Sequence, residues 1–356
     1  MKKIVTTFSV FFIVMANTAM ARIWRVNNDV AKGGDFTTIS AAVTAASAGD
    51  TIHIEPSPTP YGAFILNKKL VILGNGYFLG GAGLQADQDS SMVNSMTIDS
   101  SSVTSNGSGS FVSGITFLTT SSIIHNVRDI TITRCLFTGQ LNIVSYDRSA
   151  DGISISQCFL QSNILGTSTA GNINISFENN IFSTATGMGF GSMNLDAHFG
   201  GLFRNNTFNN TATALTLSGF YIANNVFTSN NLTDVNAGNN IVRDNTFAAV
   251  AVINLVNGQD GNQLGILMAP LFTGSLVTGH GDTRFQTAGP GALRGSGETI
   301  GGITPDRGAY NTVTLTDSYR SSGIPAIPTI YVLTVPASIS PAATSMNITI
   351  STRSNN

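Results

Sequence analysis

The chain has 356 residues, a formal net charge of −2, and only 10% charged residues against 42% hydrophobic ones. So few Lys and Arg argue against a nucleic-acid partner, and past the N-terminal leader no apolar run is long enough to cross a bilayer as a helix. With 37 glycines and a polar surface supplied by Asn, Ser and Thr, the composition suits a neutral partner such as a sugar, and equally suits stacked strands.

The N-terminal MKKIVTTFSVFFIVMANTAMA combines Lys2 and Lys3, an apolar stretch over 4–15 and an Ala19-Met20-Ala21 cleavage pattern. This predicts a signal peptide over 1–21 and a periplasmic, secreted or cell-surface protein. No cysteine follows the cleavage site, so no lipid anchor is expected there. Next comes GDFTTISAAVTAASAGDTIHI over 34–54. Thr37 or Thr38 can cap a short helix whose stripe is Ile39, Ala42, Val43 and Ala46, with Gly49 ending it. Such a helix would cover the exposed edge of a first coil. The runs IHIE (52–55), FIL (64–66) and LVILG (70–74) then read as short strands.

A unit recurs from residue 112 onward: VSGITF, ITRCLF, ISQCFL, FENNIF, FRNNTF, IANNVF and VRDNTF, closing on Phe117, Phe137, Leu160, Phe182, Phe208, Phe227 and Phe247. The spacings of 20, 23, 22, 26, 19 and 20 residues fit a solenoid coil. Leucine-rich repeats share this period, but the fixed positions here are Ile, Asn and Phe. Alternation such as Ile130-Thr131-Ile132 and Ile153-Ser154-Ile155 is strand-like, and no coil has a helical pattern. The prediction is all-β: a right-handed parallel β-helix solenoid with an N-terminal capping helix and a C-terminal β tail.

The fourth position of the unit holds Ile115, Cys135, Cys158, Asn180, Asn206, Asn225 and Asn245. Coils stack at about 4.8 Å, so the four asparagines are expected to lie one above another at an inward bend, their amides satisfying each other. The residue before each (Asn179, Asn205, Asn224, Asp244) is expected to face outward and to tolerate the bend. The phenylalanines should form a second stack. Cys135 and Cys158 would stack as well, either as a disulfide or as two buried thiols.

The run DFTTISAAVTAASAGDTIHIEP…YGAFILNKKLVILGNG resembles the N-terminal cap and first coils of the pectin-lyase-like β-helix superfamily. PLFTG (270–274), GPGALRGSGE (289–298) and TPDRGAY (304–310) resemble the closing segment of bacterial secreted β-helix repeat proteins. The resemblance spans roughly 22–311 and concerns an architecture used by many activities. Residues 312–356, with prolines at 325, 328, 336 and 341 and β-type runs at 329–335 and 346–351, read as a linker and a tail. That tail could cover the last coil, form a strand pair or serve in sorting.

The resemblance implies where to look for chemistry. Lyases of the superfamily commonly hold calcium in acidic clusters and use Arg or Lys as the base, because a uronate carboxylate must be neutralised before its α-proton becomes acidic. The candidate groove residues are Asp147, Arg148 and Asp151, with calcium at Asp147 and Asp151, followed by Asp196, His198 and Arg204. Solvated loop charges explain these residues better than a catalytic groove does. GHGD (279–282) resembles the Gly-His-Gly of polygalacturonases, yet no paired aspartates accompany it and His280 follows the repeats. His53, alternating with Ile52 and Ile54, reads as a surface residue of the first strand and His125 as structural, and Trp24, Tyr61, Tyr77, Tyr146 and Tyr221 share no register. The leading expectation is an exported protein used in surface adhesion or contact with a polysaccharide or cell-surface glycan. The alternative is a polysaccharide lyase or glycoside hydrolase acting on an acidic polysaccharide.

Overall fold

The computed structural model describes residues 21–355 except 82, 101–105, 125–126, 146–151, 169–172, 184–192, 196–198, 210–214, 230–239, 253–254, 277–280 and 312–317. The signal-peptide reading lies outside these residues. Short strands stack in parallel into three sheets of ten, eight and seven strands. Along the repeats the chain visits the first, second and third sheet in turn, so neighbours within a sheet come from successive repeats. This is a parallel β-solenoid.

Alternation sets which side chains point inward. Val112, Ile132, Ile155, Phe177, Phe203, Ile222 and Val242 pair in register along the first sheet, and all are buried. The second inward stack is aromatic: Phe182, Phe208, Phe227 and Phe247 lie face to face with centroids 4.2, 4.9 and 4.9 Å apart. Such a core cannot cover its own first edge. A helix over Ile39–Ala45 does so, with Thr38 Oγ1 accepting from the Ala41 N–H and Ile39, Ala42 and Val43 buried. The helix stops at Ala45 rather than running to Gly49, because Ala46 is already extended.

Every repeat turns from the first sheet to the second through one residue of left-handed conformation. Gly114, Arg134, Gln157, Asn179, Asn205, Asn224 and Asp244 all have φ between 54° and 76°. Asn and Asp tolerate that region better than other non-glycine residues. At Gly114 a side chain is excluded twice, by φ and by the Pro325 ring, which would lie 2.4 Å from an added Cβ.

The next residue points inward. Asn206 Nδ2 donates to Phe177 O (2.8 Å) and to Asn225 Oδ1 (3.0 Å), while its Oδ1 accepts from the N–H and Nδ2 of Asn180 (2.9 and 3.1 Å). Asn225 and Asn245 repeat the arrangement. Asn262, which lies outside the repeat unit, ends the series by accepting from Asn245 N–H at 3.1 Å. At the other end Asn180 Oδ1 accepts from Cys158 N–H, and Cys135 N–H meets only Cys158 Sγ, at 3.4 Å. Both cysteines are buried and unbridged, and burial pushes the Cys158 thiol well above its usual pKa, with Cys135 adding to the shift.

After the last repeat the chain does not cap the stack with its tail. It doubles back along the outside of the second sheet. Thr246 bridges Gln263, Gly308 N–H donates to Asn224 O, Ala309 N–H donates to Thr207 Oγ1, and Tyr319 OH meets Tyr77 OH. The outer side chains Leu136, Phe159, Ile181 and Val226 are thereby buried against Phe272, Phe285 and Leu293. The tail then forms an antiparallel strand pair, Thr329–Thr334 with Thr349–Arg353, held beside the early repeats by Ala86 N–H to Ile330 O and Arg353 Nη2 to Leu84 O. The returning segment covers the outward-facing corner asparagines, leaving Asn179, Asn205 and Asn224 at most 7% exposed.

Candidate functional site

Of the predicted groove residues, Arg204 is described. It ends the strand Phe199–Arg204 on the outer face of the first sheet, with Nη2 2.7 Å from Glu178 Oε2 one repeat earlier. Asp147, Arg148, Asp151, Asp196 and His198, and with them the calcium reading, lie outside the described residues, as do His125, Tyr146 and His280. Among the described residues no three His, Cys, Asp or Glu side chains gather as a metal site would require.

A concavity lies between the early repeats and the tail, with a volume of about 700 Å³. One wall is polar and comes from the 75–90 loop: Asn75, Gln85, Asp87, Gln88 and Asp89, with His53 beside them. The other wall is apolar: Ile327, Pro328, Ile330 and Leu333. The loop is held by its own amides. Asn75 Nδ2 donates to Asp87 O and Asp89 O (3.2 and 2.8 Å), and Gln85 Nε2 donates to Asn75 O (2.6 Å). Lys32 Nζ sits 3.9 Å from Asp87 Oδ2. Burial lowers the His53 pKa, Glu55 opposes the shift and Arg25 assists it. His53 is therefore neutral at pH 7 and can donate or accept.

A second polar region lies on the outer face of the first sheet near the last repeats. Tyr221 OH donates to Glu298 Oε1 at 2.6 Å, and Arg243 Nε lies 3.5 Å from the same oxygen and 3.3 Å from Asp244 Oδ2. Burial, then the Glu298 bond and charge, raise the Tyr221 pKa to about 12. Arg307 is buried and lies 3.6 Å from Asp244, donating also to Asn245 O and Gly261 O at 2.9 Å. Arg204, Arg243 and Arg307 thus face Glu178, Asp244 and Glu298, and the charges balance. Beside them is a smaller cavity of about 200 Å³ lined by Asn179, Arg204, Asn205, Asn224, Asn311 and the Ile300–Pro305 turn.

The sequence reading sought carboxylates on successive coils and so passed over the 75–90 loop and the tail, which meet only because the chain doubles back. Tyr221 was noted but not paired, since Glu298 is 77 residues away in sequence. Only the Gln and Asp richness of QADQD (85–89) marks the larger cavity in the sequence. Comparison of the chain with protein-family models, curated proteins and solved structures finds no match.

Proposed function

We propose that the protein is an exported, pectin-lyase-like β-helix protein that binds neutral glycans at a surface. The observation carrying this reading is the 700 Å³ cavity with an amide and carboxylate wall facing an aliphatic one. A sugar ring has that two-sided character: hydroxyls at its edge and C–H groups on its face. Carboxylates accept from hydroxyls and amides both accept from and donate to them, while Pro328 and Leu333 shed water against the C–H face. Asp87 and Asp89 repel uronates, so a neutral glycan is favoured over an acidic one.

Calorimetric titration with neutral and acidic oligosaccharides, with and without calcium, tests it. Binding of a neutral glycan is expected, weakened about tenfold by Gln88→Ala or Leu333→Ser, because each removes one side of the cavity at an exposed position. An acidic polysaccharide converted to an ultraviolet-absorbing unsaturated product would overturn the reading in favour of a lyase. Export is tested by N-terminal sequencing of the protein recovered outside the cytoplasm, with a start at Arg22 expected.

A further inference from the structure

We propose that the smaller cavity at the corner of the first and second sheets is a second binding site, for a neutral polyhydroxylated ligand no larger than one sugar ring. The proposal shares the neutral-glycan reading above but not its cavity or residues.

The site is built from the outward column of the solenoid corner. Asn179, Asn205 and Asn224 stand at equivalent bends of successive repeats, about 4.8 Å apart, and all three line the cavity with Arg204. Two of the amides are committed on one side only: Asn179 Nδ2 donates to Ala309 O (3.3 Å) and Asn205 Nδ2 donates to Asp306 O (2.8 Å). Asn224 is oriented the other way, because its Oδ1 accepts from Glu298 N–H at 2.6 Å. Its Nδ2 is therefore a donor, and it has no partner although Asn224 is fully buried. An unsatisfied buried donor costs about 1–3 kcal/mol, and a ligand hydroxyl seated against the amide column supplies the missing acceptor.

The opposite wall is the turn Ile300–Ile303, whose Gly301 and Gly302 have φ of 60° and 82°. It is closed on itself by two backbone hydrogen bonds of 2.9 and 3.1 Å. Ile300 and Ile303 are 50% and 48% exposed. Among the described residues, the hydrogen bonds at the turn tip are its own pairing and the Thr299–Thr304 hydroxyl contact. It is therefore the part that yields when an acceptor reaches Asn224, and it closes an aliphatic face over the ligand. Arg204, the charged residue of the lining, is already paired with Glu178 at 2.7 Å, which favours a neutral ligand over an ion.

Saturation-transfer NMR with the methyl glycosides of glucose, galactose and mannose, and with glucuronate as acidic comparator, tests the proposal on the full chain. At least one neutral glycoside should bind with millimolar affinity. Asn224→Asp keeps the Oδ1 acceptor and a residue type that Asp244 shows is compatible with the bend, but it removes the donor. Ile303→Ser removes the apolar wall from an exposed turn. Each should weaken binding about tenfold. Binding unaffected by both variants but lost in Leu333→Ser would overturn this site and leave the larger cavity standing. No neutral binding, or preference for glucuronate, would overturn it outright.

Discussion

Neighbouring asparagines in one dipeptide do opposite things in this molecule. Asn206 and Asn225 point inward, and both amides have every donor and acceptor engaged. Asn205 and Asn224, one residue earlier, point outward and are only partly satisfied. The inner column is architecture: each Oδ1 accepts the N–H that the bend of the preceding repeat leaves over. The outer column faces the returning segment and keeps hydrogen-bonding capacity in reserve. Saturation of the amide, rather than residue type, separates scaffold from site.

The sharpest way to break this contrast is at the inner column. Asn206→Ala strands the Asn180 N–H in the core and takes an amide partner from Phe177 O, Asn180 Nδ2 and Asn225 Oδ1, of which Asn180 Nδ2 keeps Ile155 O and Asn225 Oδ1 keeps the residue-206 backbone N–H; it should cost about 4 kcal/mol, read as a fall in the urea midpoint. At the outer column Asn205→Ala removes one bond and places alanine at φ 55°, which should cost about 2 kcal/mol by the same measurement. At the thiol end of the inner series Cys158→Ala loses a sulfur acceptor at 3.4 Å, weak thiol contacts to Ser156 O and Ile132 O at 3.2 and 3.7 Å, and a little volume. A drop of about 1 kcal/mol is expected there, and a larger one would mean that the thiols carry more of the corner than their geometry suggests.

The smallest effect concerns the anchor of the returning segment. Asp282 is buried, accepts from Tyr319 OH and Ser322 N–H (2.9 and 2.6 Å), and has its pKa raised from 3.8 by burial, against those bonds. The folded state therefore holds this proton more tightly than the unfolded chain. The contribution is full below the ordinary carboxylate pKa and is lost as pH rises through the raised folded value. Asp282→Asn should flatten that part of the stability profile, measured by thermal unfolding across the acid range.

Much of the scaffold was legible. The NNxF unit marked the bend, the inward amide and the stacked ring together, because a period near 22 residues and strand alternation fix which side chains meet. Asn262 escaped notice because it stands outside any such unit. The sites were less legible. Glu298 and Tyr221, or Asp87 and Leu333, are brought together by a chain that reverses along the solenoid. No local periodicity encodes that reversal; Phe272, Phe285 and Leu293, which pack on the outer second sheet, stand in no repeat register.

The division of labour between the two columns is tested most directly by a thermal-shift titration with the best-bound methyl glycoside. The variants to compare are Asn245→Ala, in the inner column away from the cavity, and Ile303→Ser, on its outer wall. The account predicts that Asn245→Ala melts well below wild type yet still gains stability with sugar. It predicts that Ile303→Ser melts like wild type and gains almost none. Equal sugar responses in the two proteins, or a normal melting temperature for Asn245→Ala, would contradict it.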